Sequence, residues 1–120
     1  MHNSHSSFEL NFHLVFVTKY RKKFPYFYQF NWSSACNKLS DGGFQLVDIG
    51  FAKNHVHLLV IATGTEFNLA ELANRLKTES SIFFKNLFPL AWPFWQVGFF
   101  VASVGKNSVK RVSKYLSKQS

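Results

Sequence analysis

His55-Val56-His57 has the spacing of a two-histidine metal grip. It lies in Asn54-His55-Val56-His57-Leu58-Leu59-Val60-Ile61, an apolar, β-branched run that reads as a strand. Side chains alternate across a strand, so both imidazoles project from one face and can converge on a single cation. Far along the chain, Val112-Ser113-Lys114-Tyr115-Leu116-Ser117-Lys118-Gln119 reads as a helix. An i, i+4 spacing there puts the Tyr115 phenol and the Gln119 carboxamide on one helical face. Two imidazoles, an amide oxygen and a phenol are the parts of a metal-assisted nucleophile. In a strongly basic chain they point to nicking and rejoining a nucleic-acid strand.

Each part alone has a plainer explanation. A His-x-His pair also arises as two hydrogen-bonded histidines at a strand end, a helical tyrosine usually packs, and Val112 and Leu116 form the apolar stripe of any docked helix. Their conjunction with the charge carries the signal. Lys and Arg number 14 against 6 acidic residues, a formal +8 with a pI near 9.8. That balance favours polyanions, with nucleic acid ahead of an anionic membrane surface. The cations cluster in Lys19-Tyr20-Arg21-Lys22-Lys23. Lys19, Arg21, Lys22 and Lys23, joined by Arg75 and Lys77, are the candidate contacts to a DNA backbone; a solvated charge run is the alternative.

A chain of 120 residues makes one domain with one core, here residues 1–120, and 47% hydrophobic content excludes a disordered tail. Fifteen phenylalanines look like more than one small interior can hold, which predicts that some line an interface. Cys36 is the sole cysteine, so an intrachain disulfide and a multi-cysteine zinc site are excluded. A reducing cytoplasm is the expected setting, with Cys36 a small buried hydrophobe. Residues 1–7 are a polar lead, expected to be unstructured, with no apolar signal core. No apolar run reaches the roughly 18–20 residues that a bilayer span needs, so no membrane partner is expected.

Around these residues the elements follow from periodicity. Phe8 to Thr18 alternates as a first strand and runs into the basic segment. Tyr26 to Ser40 has helical spacing and stops at Asp41-Gly42-Gly43. Phe44 to Ala52 alternates again, and the Lys53-Asn54 turn predicts an antiparallel hairpin with the histidine strand. Asn68, with Glu71 three residues on, caps a helix that runs to about Phe88 with Leu69, Leu72, Ala73, Leu76, Ser80, Phe83, Phe84 and Leu87 on one side. Pro89 and Pro93 break it. Phe99 to Val104 is a further strand, and Asn107 caps the last helix. The order β-α-β-β-α-β-α predicts an α+β fold: a ferredoxin-like, RRM-like split βαβ antiparallel sheet with helices on one face and a C-terminal helix bearing Tyr115. The histidine strand is apolar on both faces, which predicts that both are covered, the second by the final helix or a second subunit.

Five blocks of the chain resemble the single-tyrosine HUH transposases of the IS200/IS605 type. They are Phe16-Val17-Thr18-Lys19-Tyr20-Arg21-Lys22-Lys23, Asn54-His55-Val56-His57-Leu58-Leu59-Val60, Leu76-Lys77-Thr78-Glu79-Ser80-Ser81, Phe100-Val101-Ala102-Ser103-Val104-Gly105 and the Tyr115–Gln119 segment. The resemblance implies transposition of a single-stranded DNA element. It implies that His55, His57 and Gln119 hold Mg²⁺ or Mn²⁺, and that Tyr115 attacks the scissile phosphodiester to give a 5′-phosphotyrosine. It further implies a homodimer, with active sites shared between subunits, that recognises DNA hairpins near the element's ends. Asn54 stands where such proteins commonly carry Asp, and Glu79 where a basic residue is common. The competing reading is a non-catalytic RRM-like binder whose aromatics stack on bases. A binder has no use for Tyr115 and Gln119 at this spacing from a histidine pair.

Overall fold

A computed structural model of the chain describes residues 10–64, 68–90 and 93–104. The polar lead and the final helix, with its Asn107 cap, Tyr115 and Gln119, lie outside the described residues. Strands β1 (Leu10–Val17), β2 (Phe44–Phe51), β3 (His55–Ala62) and β4 (Phe100–Val104) form one sheet in the order β2-β3-β1-β4. Every pairing is antiparallel. Helices α1 (Trp32–Leu39) and α2 (Leu69–Leu87) fill the two crossovers, which is the split βαβ plan expected from the element order.

The sheet sorts its side chains by the period of two. Leu14 and Phe16 of β1 join Val56, Leu58 and Val60 of β3 in a core with Trp32 and Cys36 of α1 and Leu72, Ala73, Leu76 and Phe84 of α2. Cross-strand pairs share a face. Val17 opposite His55, Val15 opposite His57 and His13 opposite Leu59 therefore lie together on the other face. On this second face Leu59 is fully buried and His57 is 7% exposed, while Val15, Val17, His55 and Ile61 are half-buried. Cys36 is buried in the core, and burial pushes its thiol up to about 11, which makes it a hydrophobe rather than a nucleophile at neutral pH.

Two expectations need correction. The segment from Tyr26 to Ser40 is not one helix. Phe27–Gln29 is a single 3₁₀ turn, and α1 starts only after Asn31, whose side chain accepts from the Ser34 amide at 3.0 Å. The break arises because Phe27 is buried among rings and its carbonyl accepts the Trp32 indole N–H at 2.9 Å. The phenylalanines, likewise, do not overfill the interior. Twelve of the fifteen are buried in the core or packed against it. They fit by mixing edge-to-face and stacked contacts: Phe24 meets Phe84 at 4.8 Å and Phe94 at 4.9 Å, with interplanar angles of 63° and 89°, while Phe84 and Phe94 stack at 4.9 Å and 29°. Phe100, on edge strand β4, stays 65% exposed.

Helix α2 is ended as its sequence directs. Asn68 Oδ1 accepts from the Glu71 amide at 2.9 Å, while the Glu71 carboxylate turns to Arg75 at 3.2 Å. Ser80 is the polar exception on its buried face. Its hydroxyl donates to the Leu76 carbonyl at 2.6 Å and accepts the Trp95 indole N–H at 2.9 Å. Ser80→Ala leaves that buried indole donor unsatisfied, an expected loss of about 1–3 kcal/mol. Urea unfolding checks this, and a loss below about 0.5 kcal/mol would show that the indole finds another acceptor.

Candidate metal centre

Strand β3 brings His55 and His57 together as their spacing requires: the ring centroids are 4.6 Å apart. Each ring is held through Nδ1. His55 Nδ1 lies 2.7 Å from Asn54 Oδ1, and His57 Nδ1 lies 2.9 Å from Nε2 of His13. Across the strand pair from His57 on β2 is Gly50, which sets no side chain beside it. Burial keeps the histidines neutral. It lowers His13, and it lowers His55 with help from the Arg21 cation. Burial first, then the neighbouring His55 and His13, pushes His57 down to about 4.

Two neutral imidazoles on one face, each with Nδ1 engaged, fit a divalent cation through their Nε2 atoms. His13 does not make this a three-histidine site, because its Nε2 is directed at His57 rather than at a shared centre. Among the described residues no three His, Cys, Asp or Glu side chains group as a ligand set. The expected third ligand, Gln119, and the expected nucleophile, Tyr115, lie outside the described residues.

The basic turn is pinned beside this pair. Thr18 is fully buried: its amide donates to the Asn54 carbonyl at 2.9 Å, and its hydroxyl lies 2.7 Å from the Lys22 carbonyl and 3.1 Å from that of Asn54. At the other end Phe24 is buried in the ring cluster, and its amide donates to the Lys53 carbonyl at 2.8 Å. Between these anchors Tyr20 and Arg21 adopt left-handed φ values of 59° and 52°. Such residues cost on the order of 1–3 kcal/mol each and persist only where their surroundings enforce them. The result is that Arg21, Lys22 and Lys23 are exposed, with Lys19 half-buried and its ammonium over the Tyr20 ring. Arg21 acts electrostatically on His55, so the turn and the histidines form one electropositive region.

Arg75 and Lys77 have duties inside the fold. Lys77 donates to the carbonyls of Gln96 at 2.7 Å and Gly98 at 2.6 Å, tying α2 to the segment before β4. Arg75 pairs with Glu71 and reaches the Leu39 carbonyl at 3.3 Å. The residues that the sequence reading passed over are His13 and Thr18. Both lie on β1 or its end, and only the β1–β3 register brings them to the histidine strand. The period of two puts His13 on the face of Val15 and Val17, but nothing local names the partner strand.

A strand-borne histidine pair on a split βαβ sheet, edged by a basic turn, suits a protein that processes nucleic acid. The chain belongs to the IS200-like transposase family, whose model matches residues 6–119. Among curated proteins none matches it in sequence. Solved structures share the fold. One is a candidate transposase of Deinococcus radiodurans R1, at 23% identity and a TM-score of 0.65, covering 93% of this chain and 92% of that one. Another is a REP-associated tyrosine transposase bound to a REP hairpin, at 11% identity and a TM-score of 0.68, covering 89% of this chain and 64% of that one. Among the described residues no helix is long and apolar enough to cross a membrane.

The depressed His57 pKa carries a stability consequence. Between the ordinary value of 6.5 and about 4, the unfolded chain binds the proton and the folded chain does not. Stability therefore falls as pH drops through that window. Urea midpoints of the metal-free protein at pH 7 and pH 4.5 should show the fall, and His57→Asn should make it smaller. An equal fall in both proteins would mean that His57 is not held neutral by its surroundings.

Proposed function

We propose that this transposase cleaves and rejoins single-stranded DNA at the ends of its element, with Tyr115 as nucleophile and Mg²⁺ or Mn²⁺ held by His55, His57 and Gln119. The observation that carries the reading is the pair of neutral imidazoles on one face of β3, each held through Nδ1. Imidazole donors favour Mn²⁺ over Mg²⁺. When bound, the cation supplies charge stabilisation at the scissile phosphate and helps the 3′-oxygen depart.

The chain's own residues do the rest. A phenol has an ordinary pKa of about 10, so Tyr115 must give up its proton as it attacks. Its oxygen bonds to phosphorus, the bond from phosphorus to the 3′-oxygen breaks, and that oxygen leaves as a hydroxyl after taking up a proton. The phosphotyrosine retains a phosphodiester, so another strand's 3′-hydroxyl can reverse the step and join without ATP. Each chain offers one such tyrosine, so two simultaneous cleavages call for a homodimer.

Lys19, Arg21, Lys22 and Lys23 grip the backbone, presented by the turn between Thr18 and Phe24. The hairpin bound by the REP-associated relative supports a DNA hairpin as the recognition element here. Arg75 and Lys77 are further candidate contacts to the backbone; each also holds a carbonyl within the fold, Leu39 for Arg75 and Gln96 and Gly98 for Lys77.

Tyr115→Phe should abolish the covalent protein–DNA adduct on hairpin-bearing single-stranded DNA while leaving hairpin affinity within about twofold. An adduct formed by the Phe variant excludes Tyr115 as nucleophile, and the binding measurement separates loss of chemistry from loss of fold. Neutralising any one of the four turn cations should flatten the slope of log K against log salt by roughly 0.7–0.9. Four unchanged slopes would reduce the turn to a solvated charge run.

A further inference from the structure

A third histidine stands behind the pair. His13 lies diagonally across the two central strands from His57, since His13 faces Leu59 and Val15 faces His57. Their rings are 15° from coplanar with centroids 5.1 Å apart. That separation is too long for face-to-face stacking, and it matches two rings lying edge to edge, joined through one nitrogen each. The 2.9 Å distance from His13 Nε2 to His57 Nδ1 is that join. One proton sits between the two nitrogens, because an N···N contact of this length needs one donor and one acceptor.

Where the proton belongs decides what His57 can do. If His13 donates, the remaining proton of His57 sits on Nε2 and that nitrogen cannot bind a cation. If His57 donates, its Nε2 carries a lone pair. His55 already follows the second pattern, with its Nδ1 against the acceptor oxygen of Asn54. We propose that His13 is a positioning residue: its Nε2 accepts the Nδ1 proton of His57 and so holds His57 in the tautomer whose Nε2 faces the metal. The inference rests on the metal-centre reading of His55 and His57 and extends it to a residue on another strand. His13 is not a ligand itself, because its Nε2 is committed to His57.

The tautomer is read directly by long-range ¹H–¹⁵N correlation NMR on the full, metal-free, ¹⁵N-labelled protein at pH 7. His57 should be protonated on Nδ1 and bare on Nε2, and this measurement needs no variant that must fold. His13→Phe should release the tautomer toward Nε2–H and weaken Mn²⁺ binding by about 10–100-fold, measured by calorimetry. His13→Gln, which keeps an acceptor oxygen, should restore most of the affinity and the Nδ1–H form. A purely structural role would show no such rescue. Mn²⁺ binding by a wild-type protein whose His57 is protonated on Nε2 overturns the proposal alone. Unchanged tautomer and unchanged affinity in His13→Phe do the same. Absence of any Mn²⁺ binding by the wild-type protein overturns the metal-centre reading, and this proposal with it.

Discussion

The antiparallel register of β1 on β3 is the constraint on which the site depends. It sets Leu14 and Phe16 against Leu58 and Val56 on the core face, and on the other face it puts His13 diagonal to His57. At its end it delivers Thr18 to the Asn54 carbonyl, so the basic turn begins where the histidine strand begins. A slip of one residue would exchange the faces of β1. It would send His13 into the core and Phe16 out of it, so the burial of Phe16, Leu14 and Val56 enforces the geometry of the histidines. Hydrophobic burial here specifies polar chemistry on the opposite side of the same two strands.

The aromatic cluster does a related job for the turn. A five-residue segment with four cations repels itself, and its one ring, Tyr20, stays 73% exposed, so on its own it would be mobile. Thr18 before it and Phe24 after it are both buried, one by hydrogen bonds to carbonyls and the other by rings from Phe27, Phe84, Phe88 and Phe94. The left-handed conformations of Tyr20 and Arg21 are tolerated because both ends are fixed. The cost of that strain is borne by the core, and the cations are presented beside His55 rather than dispersed in solvent.

How much of this was legible without coordinates follows from the range of each interaction. Local signals read well: the apolar, β-branched run of β3, the Asn68 cap, the stop at Asp41-Gly42-Gly43 and the Lys53-Asn54 hairpin turn all appear where the sequence put them. The element order sufficed for the sheet plan, because a split βαβ arrangement has few topologies. Non-local facts did not read. The break at Phe30–Asn31 depends on an indole reaching back to the Phe27 carbonyl, and helical spacing cannot distinguish a 3₁₀ turn followed by a cap from a continuous helix. The tie that Lys77 makes within the fold was invisible for the same reason: its two carbonyl acceptors belong to a segment about twenty residues further on. His13 was passed over because its partner lies 44 positions away, in a strand that is its neighbour in space alone.

The electrostatic state of the site fits cation binding in a particular way. Two imidazoles beside an arginine repel a divalent ion less when they are neutral, and burial has already made them so. Binding at neutral pH then need not expel a proton from either ring, and the competition that usually makes histidine sites pH-sensitive moves to more acid conditions. Both Nδ1 partners are uncharged as well: a carboxamide oxygen behind His55 and an imidazole nitrogen behind His57. A carboxylate in either place would make the rings stronger donors and hold the metal more tightly. The pair is therefore oriented without being strongly basic, so a divalent ion held there in the proposed function would be bound through two positioned but moderate donors.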